Sequence, residues 1–492
     1  MSRTRLLALT VVGLALCAFA APASAEVQHL HYKFGPIHVS PGQNTNLYAS
    51  VPANLKPSVP GYITSFKPNL TYEDGTIPSV EVVHLHHGVW VVNNEPRYAV
   101  GEEKTTVRVP DGYGYKYQPK EHWLINYMIH NLTQQPDTVY ITYDIDFIPD
   151  TDPAAATIKP VHTQWIDIAG FSAYPVFDAK RGMGKNGVVT LPDDAPNTPG
   201  LTGGGVWHVT QPTTLLGTAV HVHPGGLGGT LKVTRDGVTK TLFTSRAHYF
   251  DPSGAVSWDM AVTVPGPDWK IALKPGDVVS LHVDYDVSKA SWYESMGIMP
   301  SIVEDNSTEG LDPFKDKIPL KGYLNHGRLK ENIAHGGKPI GLPNPLKFLD
   351  GPVYKANLNI EDFVYTQGDT TLGGIGSRPA VIRPGKALTF FNKDAYVDSA
   401  GGIFHTITAC KAPCNLSTGG NYPLANGPVD FDSGELGFGP AGITAAANRA
   451  TWTTPSNLKA GTYTYFCRVH PFMRGAFRIA PAKKKKRSPR SA

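Results

Sequence analysis

The chain has 492 residues, 41% of them apolar, with 50 Gly, 42 Pro and a formal net charge of +4 at pH 7. That length allows two to four domains, and the Gly and Pro content with frequent Val/Thr/Tyr alternation excludes a helical bundle in favour of short strands and tight turns. The positive charge sits at the ends, on Arg3, Arg5, Lys483, Lys484, Lys485, Lys486, Arg487 and Arg490; without these eight, residues 26–482 carry −4, which excludes the basic footprint of a nucleic-acid binder.

Residues 1–25 have the pattern of a secretory signal peptide: Arg3 and Arg5, the apolar stretch Leu6–Ala21, then the small-residue site Ala23-Ser24-Ala25. No later run reaches the ~18 apolar residues of a membrane span. An exported protein, periplasmic or extracellular, is therefore expected.

Residues 26–150 read as strands. Val139, Ile141, Tyr143, Ile145 and Phe147 alternate with polar residues, the period-2 mark of a half-buried strand. A second strand-rich block covers 151–303. Residues 304–353, rich in Gly, Pro, Lys and Asn, read as a connector packed against its neighbours. Residues 354–481 form a third block, and 482–492 a basic disordered tail. Phosphate-binding Gly-rich loops, a Gly-x-Ser-x-Gly turn and a His-Glu-x-x-His motif are all missing from the sequence.

Histidines cluster in the first two blocks. His84, His86 and His87 follow the run Val80–Val83, and His130 ends the stretch Trp123–His130, on the face opposite Trp123, Ile125, Tyr127 and Ile129. His221 and His223 share a face, and Met296 lies in Ser295-Met296-Gly297-Ile298-Met299. His86 and His87 are adjacent, so both reach one metal only at a strand end or a bulge; in a regular strand His84 and His86 would be the pair. Three-histidine sites also suit zinc.

This order of His-His, His, His-x-His and Met resembles the copper type II monooxygenases, the peptidylglycine and dopamine hydroxylase family. The resemblance implies two jelly-roll-like β-sandwich domains, each holding a copper: His86, His87 and His130 at the electron-accepting copper, His221, His223 and Met296 at the oxygen-binding copper. It departs at Ala219, Ile298 and Pro300, where the family has a substrate-binding Arg and an Asn and Tyr after its Met, and residues 26–409 contain no Cys. C-terminally glycine-extended peptides are thus not the expected substrate. Leu85-His-His-Gly-Val-Trp90, Val220-His-Val-His-Pro-Gly-Gly226 and Met296-Gly-Ile-Met299 resemble the stress up-regulated nodulin family more closely still.

The third block holds the sharpest motif. Cys467, His470 and Met473 are spaced C-x2-H-x2-M, with His405 upstream in Phe404-His405-Thr406-Ile407-Thr408. Two imidazoles, one thiolate and a weak axial thioether are the ligands of a blue-copper site. Cys17 falls in the signal, and Cys410 and Cys414 are close enough to form a disulfide in an oxidising compartment. Cys467 is left over, and a metal explains it. The loop with Pro471-Phe472-Met473-Arg474-Gly475 resembles the cupredoxins, amicyanin most of all, as does Ile382–Asn392; the departure is an insertion, Asn415–Ala450.

The expectation is an all-β chain: two jelly-roll-like sandwiches followed by a cupredoxin Greek-key sandwich. Its cofactors are type 1 copper at His405, Cys467, His470 and Met473 and up to two further coppers upstream. Its partners are a redox protein or small reductant and, for an enzyme, O2 and a small organic substrate. The alternative is a non-catalytic electron-transfer or copper-handling protein on an inert β-scaffold.

Overall fold

The computed structural model describes residues 26–482 except 81, 171–173, 202, 251–259, 327–343, 354–356, 397–402, 412–428, 439–448 and 471. The signal pattern, the basic tail, Cys414 and the Cys410 side chain therefore lie outside the described residues. The fold is all-β, with strands joined by turns and four short 3-10 segments. No helix among the described residues is long and apolar enough to cross a membrane.

The alternation at Val139–Phe147 appears as the strand Asp137–Pro149, whose Val139, Ile141, Tyr143, Ile145 and Phe147 are buried. It pairs with Gln28–Val39 and Gly61–Thr71. Facing this sheet is a four-stranded one, ordered Asn46–Ser50, Trp123–Asn131, Val83–Val92, Glu95–Gly101. Aromatic side chains fill the gap: Phe66 stacks on Tyr98 at 4.3 Å and meets the edge of Trp90 at 4.8 Å.

The first sheet continues into the second sandwich. Tyr113–Tyr117 pairs in parallel with Lys159–Gln164, and the sheet runs on through Ser301–Asp305, Thr213–Thr218 and Ile271–Leu273. A separate sheet, built on Val278–Asp286 and Gly226–Arg235, packs over this half. Val279, Leu281, Val283 and Tyr285 face inward there in strict alternation. One hydrogen-bonded sheet thus spans both upstream sandwiches and fixes their adjoining edges relative to each other.

The C-terminal sandwich has a four-stranded and a five-stranded sheet around Phe390, Tyr465 and Phe477. Part of the insertion after His405 becomes the strand Phe431–Leu436, which pairs with His405–Lys411. This sandwich is docked on the others. The Arg181 guanidinium donates to Val429 O at 2.9 Å, Arg468 donates to Ser291 O at 2.5 Å and lies over the Trp292 ring, and Phe466 joins the core of the second sandwich.

Phe66→Ala removes the ring at the centre of the first core and is expected to destabilise that sandwich by about 3–5 kcal/mol. Urea unfolding followed by tryptophan fluorescence, which reports on the neighbouring Trp90, reads the shift.

Candidate metal centres

Cys467 directly follows the strand Gly461–Phe466, and the loop after it returns through Arg474–Ile479. Two backbone bonds close the loop, Met473 N–H to His470 O at 2.9 Å and Cys467 N–H to Met473 O at 3.2 Å. His405 opens the neighbouring strand. The result brings Cys467 Sγ to 3.8 Å from both His405 Nδ1 and His470 Nδ1, with the two Nδ1 atoms 3.1 Å apart. Cys467, His405, His470 and Met473 are all at most 1% exposed, and Met473 packs in the same core cluster as Cys467.

The far nitrogens are tied down. His405 Nε2 bonds Asp394 Oδ2 at 2.8 Å, and Asp394 in turn accepts the N–H groups of Asp362 and Phe363. His470 Nε2 bonds the carbonyl of Gly42, in the first sandwich, at 3.0 Å. Such partners fix the tautomer and aim the other nitrogen at a metal. Sγ accepts from Thr406 N–H and His470 N–H, each at 3.3 Å. Burial would raise the Cys467 thiol, but hydrogen bonds from His405 and His470 bring it down to about 5, towards the ligating thiolate. A thiolate and two imidazole nitrogens that converge, with a buried thioether in the same core cluster, are a donor set suited to copper.

Upstream, the strands Val83–Val92 and Trp123–Asn131 set His84 directly opposite His130. The register then shifts between Leu85 and His87, so His86 is the extra residue of a bulge. The His84 and His130 rings lie 5.2 Å apart, and those of His86 and His130 4.7 Å apart. His87 turns away from this group: its Nε2 faces the Oδ1 atoms of Asn46 and Asn126, each at 3.2 Å, while its Nδ1 meets His86 Nδ1 at 3.2 Å. The structure thus gathers His84, His86 and His130, with His87 behind His86.

His221 and Val222 pair with Ile298 and Gly297, which puts Met296 one step further along, across from His223. The Tyr285 hydroxyl pins both segments: it accepts from His223 N–H and Met296 N–H and donates to Met296 O at 2.6 Å. The Met296 side chain packs with Met128, Tyr174, Val176 and Ile298. His223 Nδ1 donates to Glu294 O at 2.6 Å, and His84 Nδ1 to Val80 O at 2.8 Å, leaving each Nε2 as the lone-pair nitrogen. Burial, reinforced by neighbouring imidazoles, holds His86, His130 and His223 well below the usual histidine range, in the neutral form that ligates.

The two upstream groups are contiguous, for the His86 and His223 rings are 4.6 Å apart. Between them comes the turn Gly101-Glu102-Glu103-Lys104, which the histidine pattern did not flag. All three charged residues of the turn are buried. Glu103 accepts from Gly101 N–H at 3.0 Å and pairs with His221 Nδ1 at 3.1 Å, which aims His221 Nε2 inward. Glu102, His221 and His223 each offer a ligand atom within 4.8 Å of the others. Gly101 is required by this close approach, since a Cβ there would lie 2.3 Å from the His221 ring. A charged pair directly after an apolar strand end was the available sequence signal, but such pairs more often mark a solvated turn.

A chain of bonds joins the C-terminal and upstream groups. His470 bonds Gly42 O; the next residue, Gln43, accepts from Asn131 N–H at 2.9 Å; and Asn131 is covalently joined to His130. A cavity of about 1050 Å³, with mostly apolar walls, borders the upstream groups at His87, Glu103, His221, Tyr174 and Met296.

No protein-family model and no curated protein matches the chain. Among solved structures it is similar to the Cu(I) form of a methionine-to-alanine mutant of amicyanin, at 17% identity over 29% of this chain and 96% of that one, TM-score 0.14. It is also similar to the copper-containing nitrite reductase of Thermus scotoductus SA-01, at 12% identity over 54% of each chain, TM-score 0.15. A third likeness is to recombinant PNGase F, at 8% identity over 57% of this chain and 97% of that one, TM-score 0.26.

Asp394→Asn replaces the charged acceptor behind His405 with an amide. Affinity for Cu(I), measured by competition with a chelator, is expected to fall about 10–100-fold with the fold retained.

Proposed function

We propose that this chain is an exported copper-dependent redox protein in which the C-terminal sandwich is an electron-transfer module for a metal centre in the two upstream sandwiches. His405, Cys467, His470 and Met473 hold a type 1 copper. His84, His86 and His130, with His87 behind His86, and His221, His223 and Met296 hold two further metals. Bound copper supplies one-electron redox chemistry at each place.

The single observation that carries this reading is the contact of His470 with Gly42. An imidazole that ligates at Nδ1 uses its Nε2–H to reach the first sandwich, and two hydrogen bonds joined by Gly42, Gln43 and Asn131 connect it to His130. The ligand-bearing histidine is thereby buried at the interface between sandwiches. The surrounding residues have simple tasks. Asp394, Glu103 and the carbonyls of Val80 and Glu294 hold tautomers. Tyr285 holds the His223 and Met296 backbones in place. The apolar cavity beside His221 suits a small organic substrate, and the ligand order of the type II copper monooxygenases supports oxygen chemistry there. A reductant supplies electrons to the C-terminal copper.

Copper per chain, with visible and spin-resonance spectra, tests this in wild type and His221→Ala. Three coppers, falling on mutation while the thiolate band survives, are expected. A single copper untouched by His221→Ala would sink the reading and leave an electron-transfer protein on an inert scaffold; zinc upstream, found by elemental analysis, would remove the redox role of that centre.

Gly42→Ala tests the link between sandwiches. Gly42 has φ +61, and a Cβ there would lie 1.9 Å from the Phe363 ring and 2.9 Å from His470 Nε2. The variant is expected to keep the thiolate band and to slow electron transfer from the C-terminal to the upstream copper, followed by stopped-flow absorbance after rapid reduction. An unchanged rate would show that electrons travel by another route.

A further inference from the structure

The upstream ligands come from two sandwiches, and the resemblance that suggested them implies two separate mononuclear coppers. The arrangement in space differs. His86 of the first sandwich and His223 of the second have ring centres 4.6 Å apart, and one side chain, Glu102, faces both. Its Oε1 lies 3.4 Å from His86 Nε2, and its carboxylate also falls within ligand range of His221 and His223.

Apart from its contact with His86, nothing among the described residues explains the position of Glu102. It is 2% exposed, and neither carboxylate oxygen has a hydrogen-bond partner among the described residues. Its neighbours on the turn are engaged otherwise: Glu103 with Gly101 N–H and His221 Nδ1, Lys104 with Asn69 Oδ1 at 3.1 Å. A buried carboxylate among neutral imidazoles is costly unless cations balance it. The His221 Nε2 atom is likewise buried without a hydrogen-bond partner among the described residues.

We propose that Glu102 is a bridging ligand, one oxygen to a metal held by His84, His86 and His130 and the other to a metal held by His221 and His223. The upstream sandwiches then share one dinuclear centre of paired divalent first-row metals, set at their junction. A carboxylate has two oxygens that can each take a cation, and enzymes place paired metals close enough to act on one substrate together. The proposal rests on the reading of these histidines as metal ligands. It adds a ligand, Glu102, and a magnetic property.

The test uses the full chain loaded with copper and fully oxidised, with total copper compared with the spins integrated by low-temperature spin resonance. The C-terminal copper serves as an internal standard through its thiolate band. Spanning both metals of a two-metal site with its two oxygens, Glu102 is expected to couple the copper(II) pair antiferromagnetically, so wild type is expected to bind three coppers and show about one spin per chain. Glu102→Gln keeps the shape but replaces the bridge with an amide, and is expected to restore the missing spins or lose an upstream copper, with the thiolate band intact. Three coppers with three full spins in wild type would overturn the bridge while leaving the histidine sites standing. Upstream copper absent from wild type would overturn the bridge together with the ligand reading. If Glu102→Gln does not fold, as judged by loss of the thiolate band, the wild-type spin count decides alone.

Discussion

A buried imidazole is poised for a metal when it is neutral and one nitrogen is held by a protein acceptor while the other is left as a lone pair. Much of this structure follows from meeting that condition at several histidines. The acceptors are a carboxylate for His405 and His221 and a backbone carbonyl for His470, His84 and His223. The choice of nitrogen is regular. The C-terminal pair presents Nδ1, while His84, His221 and His223 present Nε2. Each acceptor must itself be fixed, which explains the turn at Gly101, the Tyr285 hydroxyl between two strands, and the backbone bonds to Asp394. The β-sandwiches supply this rigidity because their ladders leave strand ends no freedom to drift.

The same condition ties the domains together. The acceptor for His470 lies not in its own sandwich but at Gly42, more than 400 residues earlier in the chain. The hydrogen bonding of His470 is therefore complete only when the sandwiches are docked. Arg468 and Arg181 reinforce the docking by donating to backbone carbonyls across the interface. Arg468 also pairs with Asp432 at 2.9 Å, so its charge is balanced within its own sandwich before it reaches across.

Features that depend on local periodicity were legible in the sequence. The alternation at Val139–Phe147 gave a strand with every inward residue buried, and the all-β class followed from many such segments. The spacing Cys467, His470, Met473 was legible because the three side chains come from one loop. His405, Cys467 and His470 do converge. Features that depend on long-range contact were not. Glu102, Glu103, Asp394 and Gly42 carry no distinguishing neighbours in the chain, since each gains its meaning from a residue brought near by the fold. The bulge at His86 is an intermediate case: adjacency of His86 and His87 demanded an irregular strand, but only the pairing shows that His84 joins His86 and His130 while His87 faces Asn46 and Asn126. The shared sheet was hidden for another reason. The pairing of Tyr113–Tyr117 with Lys159–Gln164 is parallel and involves three residues a side, too short to leave a periodic signature.

Burial of His470 also constrains what can reach its ring. The imidazole is 1% exposed beneath the segment containing Gly42, with Phe363 set edge-on at 5.0 Å. A donor protein cannot touch that ring while the sandwiches are docked. His405 is covered by Asp394 and the ring of Phe363. Cys467 continues into Arg468, which is already committed to the second sandwich. Two of the outward paths from the His405, Cys467 and His470 cluster thus lead into the protein, one to the first sandwich through His470 and one to the second through Arg468. The C-terminal sandwich is thus tied to the first sandwich by His470 and to the second by Arg468, the residue that follows Cys467, so the segment Cys467–His470 is anchored on both sides.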